Sequence, residues 1–68
     1  MPDQLANRLK ERRTELGLTQ AELAERVGVT RKTVNTVENG VFTPSATLAI
    51  KLAEALGVSV ETLFWIER

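Results

Sequence analysis

The stretch Thr19 to Gly40, TQAELAERVGVTRKTVNTVENG, constrains the fold of this chain more than any other part of it. Apolar residues recur at helical spacing on both sides of Gly28, so two short helices must be joined by a turn of two or three residues. Thr19 followed three residues later by Glu22 is a capping box, and Leu18 before it can staple onto Leu23. Thr30 repeats the staple with Val29 and Val34. Helices joined this tightly cross near the turn, where Ala24 is small enough to let them approach. Gly28 supplies the backbone freedom for the reversal. The second helix of the pair is therefore held at a fixed angle.

The rest of the chain is punctuated in the same way. Each glycine follows a periodic segment, which divides the sequence into five predicted helices, roughly 3–16, 19–27, 30–39, 44–56 and 59–67. Leu5, Leu9 and Leu16 form an inward stripe on the first, and Leu23, Ala24 and Val27 on the second. Val34 and Val37 do the same on the third. Leu48, Ala49, Leu52, Ala53 and Leu56 give the fourth a broad apolar face. Thr43 before Pro44 suits the start of the fourth helix, with Ser45 as the other candidate cap, and Ser59 caps the fifth. No alternating strand pattern competes. The expectation is an all-α domain of five helices spanning 1–68, with 43% hydrophobic residues to build its core.

Composition removes several classes of function. Without cysteine or histidine there is no disulfide framework, the usual zinc ligands are missing, and so is the commonest general base. No convergent acid–base set appears, so neither catalysis nor a metal or cofactor is expected. No apolar run approaches the roughly 20 residues that span a bilayer, and no signal peptide opens the chain, so the expected location is the cytoplasm. The net charge of zero argues against a strong general attraction to nucleic acid. Seven of the nine basic residues nevertheless precede Gly40, so any such attraction must be local.

The third helix carries that local chemistry. With Val34 and Val37 inward, Lys32, Asn35 and Thr36 fall on the opposite face, and Arg31 lies to one side. Arg and Lys donate to guanine O6 and N7, Asn pairs with adenine, and Thr offers a hydroxyl or a methyl. A B-DNA major groove is wide enough for one helix. Gln20 sits in the first turn of the second helix, where free N–H groups attract an anion. Thr30 and Asn39 flank the third helix as further candidates for phosphate contact, although each also suits a cap or a helix end. Glu38 borders an apolar stripe and needs a cationic partner, for which Arg12 and Arg13 both qualify.

Taken together, LGLTQAELAERVGVT, TVNTVENG, PSATLAIKLAEALGVS and ETLFWIE resemble the lambda-repressor/Cro-like, or XRE-type, helix-turn-helix family over nearly the whole chain. The resemblance is to its small stand-alone members. It implies a third helix seated in the major groove of double-stranded DNA. Arg31, Lys32 and Thr36 stand at the family's base-reading positions, and Asn35 is a more variable neighbour. Gln20 and Asn39 stand at its phosphate contacts, and Arg13 with Glu38 at its buried ion pair. Relatives often carry a basic residue where this chain has Val41, just after Gly40. The resemblance also implies a transcriptional regulator, in most cases a repressor. Val60, Leu63, Phe64, Trp65 and Ile66 cannot all point inward from one helix. Either Leu63 and Phe64 fill the core with Trp65 or Ile66 partly exposed, or Val60, Phe64, Trp65 and Ile66 form a seam, and family members of this size commonly pair through this end. A homodimer with its seam there is therefore expected. An antitoxin binding its toxin through the same apolar segment is the alternative, and a restriction-modification controller is related to it.

Overall fold

The structure, a computed structural model, describes residues 3–68. In chain order it contains β1 (Gln4–Asn7), α1 (Leu9–Glu15), α2 (Gln20–Val27), α3 (Arg31–Glu38), α4 (Ala46–Leu56), α5 (Val60–Leu63) and β2 (Phe64–Glu67). All five helices are present. What differs is at the two ends of the chain, where β1 and β2 pair as an antiparallel ribbon running from Gln4 opposite Glu67 to Asn7 opposite Phe64.

The ribbon corrects the expected helices 3–16 and 59–67. Phe64, Trp65 and Ile66 have high β-propensity, and their extended backbone finds a hydrogen-bonding partner in the opposite terminus. A lone two-stranded ribbon is marginal in water. Here one face, carrying Leu5 and Phe64, packs against the helical core. Phe64 is thereby only 7% exposed and belongs to the interior, which removes it from the expected seam.

The local signals at the helix ends hold. Thr19 Oγ1 accepts from the Glu22 amide (3.0 Å) while Glu22 Oε1 accepts from the Thr19 amide (2.9 Å). Thr30, Ser45 and Ser59 cap α3, α4 and α5 through the same side-chain geometry, so Ser45 and not Thr43 starts α4. Gly28 adopts the left-handed conformation (φ +76°) at the turn between α2 and α3, directly after the buried Val27.

The core gathers Leu9, Leu23, Leu52, Leu56, Leu63 and Val34, all fully buried, with α2 packed on both α3 and α4. Leu16 was expected among them and is instead 43% exposed. Helix α1 stops at Glu15, the chain reverses through Gly17, and Leu18 takes the inward place.

Candidate nucleic-acid interface

Helix α3 is held from behind by charge as well as by packing. Arg13 Nε donates to Glu38 Oε2 at 2.7 Å and its Nη2 to Oε1 at 3.2 Å, a bidentate pair. The side chains are only 11% and 3% exposed. Gln20 Nε2 donates to the same Oε1 at 3.0 Å, so one carboxylate joins α1, the start of α2 and the end of α3. Arg13 Nη1 completes the set by donating to the Leu18 carbonyl at 2.8 Å. Arg12 turns elsewhere and donates through Nε to the Leu56 carbonyl at the end of α4 (3.0 Å). The choice between the two arginines thus follows from the 100° step between consecutive helical residues.

Asn7 adds a brace that the sequence reading did not single out. Its Nδ2 donates to the Val37 carbonyl (3.0 Å), and its Oδ1 accepts from the Leu9 amide (3.0 Å). One side chain therefore starts α1 and ties off the last turn of α3. An asparagine just before a helix is a capping signal. It was hidden here because residues 4–7 were themselves assigned to the helix. The loop after α3 is fastened too, since the amides of Val41 and Phe42 both donate to the Thr36 carbonyl (2.9 and 3.1 Å).

The outer face of α3 is different. Arg31, Lys32 and Asn35 are exposed and line one shallow depression. Arg31 and Lys32 enter no hydrogen bond or ion pair with the described residues. Thr36 is half-buried and donates its hydroxyl to the Thr33 carbonyl at 3.0 Å. Of the expected phosphate contacts, Thr30 is exposed and acts as the α3 cap, its Oγ1 accepting from the Thr33 amide. Gln20 is half-buried against Glu38, and Asn39 is exposed with Nδ2 donating to Asn35 Oδ1 (3.2 Å). Both side chains are therefore held by hydrogen bonds within the protein.

At the far end, the outer face of the ribbon carries Trp65, half-buried, with the Arg8 guanidinium 4.9 Å from its ring centroid. Its Nε1 donates to Glu67 Oε2. Ile66 is 45% exposed, while Val60 packs against the core. The expected seam is therefore reduced at the surface mainly to Trp65 and Ile66. Among the described residues, no cluster of Asp or Glu could hold a metal ion and no helix is long and apolar enough to cross a membrane.

The α2–α3 pair thus presents one exposed helix face carrying Arg31, Lys32 and Asn35. Comparison with known proteins decides the family: a helix-turn-helix family model matches residues 9–63. The chain belongs to the lambda-repressor/Cro-like helix-turn-helix family. It is 52% identical over 60 residues to an HTH-type transcriptional regulator of Methanothermobacter thermautotrophicus, covering 87% of each chain. With the HTH-type transcriptional regulator YgzD of Bacillus subtilis it shares 43% over 63 residues, covering 93% of this chain and 96% of the relative. Among solved structures it resembles the P22 c2 repressor in complex with a synthetic operator, with a TM-score of 0.77 and 30% identity. That match covers 79% of this chain and 82% of the repressor. As a family member this helix-turn-helix protein is a DNA-binding transcriptional regulator by kind.

Proposed function

We propose that this helix-turn-helix protein is a sequence-specific repressor that inserts α3 into the major groove of an operator as a homodimer. The observation that carries the reading is the contrast on α3 itself. Its inner face is fully engaged by Arg13, Gln20, Asn7 and the core, while Arg31 and Lys32 on the outer face have no structural task. A helix so fixed loses little further freedom on binding, which favours specificity. The first turn of α2, with Gln20, and the cap residue Thr30 would lie against flanking phosphates. Repression then follows from occupying an operator.

With no net charge to attract DNA over long range, one reading face gives limited affinity. Two copies related by a two-fold axis would place two α3 helices about 34 Å apart, one turn of DNA. On the ribbon, Ile66 is the exposed large apolar group available for such a seam, while Trp65 is half-buried on the opposite face.

The test is selection from a random DNA library, with the solution mass measured by sedimentation equilibrium. A two-fold symmetric enriched site bound by a dimer, with affinity falling as salt rises, is the expected result. A monomer that enriches no sequence would overturn the reading. Ile66→Asp should give monomers that still melt cooperatively but bind the full site more weakly.

A further inference from the structure

The reading surface has a hydrogen-bond polarity that is set from within the protein. The Asn39 amide donates to the Asn35 carbonyl at 3.1 Å, carrying the helical path one residue past Glu38. This stacks the Asn39 side chain over that of Asn35, four residues earlier on the same face. Asn39 Nδ2 then donates to Asn35 Oδ1 at 3.2 Å. One of the two lone pairs of Asn35 Oδ1 is thereby taken up towards Asn39, while its two amide N–H groups have no partner among the described side chains.

That orientation matters because adenine and guanine demand opposite things of an asparagine. Pairing with adenine requires Oδ1 to accept from N6 while Nδ2 donates to N7. Guanine offers two acceptors, O6 and N7, and takes donors only. Arg31 and Lys32, which line the same depression, are also donors without acceptors. Thr36 has already given its hydroxyl proton to the Thr33 carbonyl, so that oxygen can only accept.

We infer that Asn39 is a positioning residue that biases Asn35 towards donating, so that Asn35 favours guanine over adenine. The inference rests on the proposed seating of α3 in the major groove. It replaces a phosphate role for Asn39 with one acting through its neighbour. Arg31, Lys32 and Asn35 then form a continuous donor surface, and the operator half-site facing it is guanine-rich.

Four proteins, wild type, Asn35→Ala, Asn39→Ala and the variant carrying both substitutions, are put through the same random-library selection. Both substitutions are on exposed side chains, and folding is checked by thermal melting. The position whose base preference disappears in Asn35→Ala identifies the contact. In the wild-type site it should be guanine, and replacing that base with 7-deazaguanine should weaken wild-type binding about 5-fold or more. In Asn39→Ala the released Asn35 amide can rotate, and preference at that position alone should move towards adenine. With Asn35 already replaced by Ala, removing Asn39 should leave the base preference unchanged.

Adenine at that position in the wild-type site would overturn the inference while leaving DNA recognition by α3 standing. Uniform weakening of Asn39→Ala across all sequences would also overturn it, because that is the behaviour of a phosphate contact. Failure of the wild-type protein to enrich any sequence would overturn the DNA reading itself, and this inference with it.

Discussion

The two faces of α3 differ in what the protein asks of them. The inner face is crowded with obligations: Val34 and Val37 fill the core, Glu38 answers Arg13 and Gln20, and the Val37 carbonyl answers Asn7. The outer face, from Arg31 through Lys32 to Asn35, is exposed. A substitution inside must satisfy three other elements at once, β1, α1 and α2, whereas one outside alters only what the helix presents. The helix can therefore exchange its reading residues without renegotiating the fold.

The sharpest way to break this contrast is Glu38→Ala. It leaves the Arg13 guanidinium buried without its carboxylate and should cost about 3–5 kcal/mol. A chain of 68 residues has roughly 3–10 kcal/mol in all, so chemical denaturation should find the variant largely or wholly unfolded. If it melts like wild type, the inner face is less demanding than its geometry implies. Lys32→Ala and Arg31→Ala are the mirror experiment. Each should weaken binding to a selected operator by about 1–3 kcal/mol and relax base preference. Their denaturation midpoints should move by no more than about 0.5 kcal/mol equivalent. Loss of stability in place of affinity would place these residues with the scaffold.

Thr30 stands on the border between the two faces. As the α3 cap, its replacement by Ala should cost about 1 kcal/mol of stability. A larger loss in DNA affinity than in stability would add a phosphate contact to its role.

The smallest effect concerns pH. Hydrogen bonds from the backbone and side chain of Thr19, with help from Arg26, hold the Glu22 carboxyl below its ordinary value despite its exposure. A lowered folded-state pKa adds stability above the unfolded value that disappears as pH falls through the folded one. Wild type should therefore lose melting temperature on acidification slightly faster than Glu22→Gln. Parallel curves would show that the capping box contributes nothing through its charge.

The helix-turn-helix unit was legible in the sequence because its determinants are local. Capping box, staple, small residue and left-handed glycine all act within one or two turns, and the buried valines follow from helical period alone. Leu16 shows the limit of that logic: its spacing pointed inward, but the helix had already ended. The termini show it more strongly. Nothing within FWIE or QLAN states that they pair, since each strand's hydrogen-bonding groups are satisfied only by the other end of the chain.

By itself the sequence determined where α2, α3 and α5 begin, where the chain turns, most of the residues that line the core and which helix carries the candidate reading residues. Each of these rests on interactions between residues a few positions apart. Tertiary structure alone decided that the termini form a ribbon, that Phe64 is core, and that Asn7 secures α3. Helical spacing left both Arg12 and Arg13 open as partners of Glu38, the resemblance pointed to Arg13, and the fold pairs Arg13 with it. The physical reason is that a polar or charged group takes whichever partner the packed chain brings within about 3 Å, and that partner is chosen by the fold.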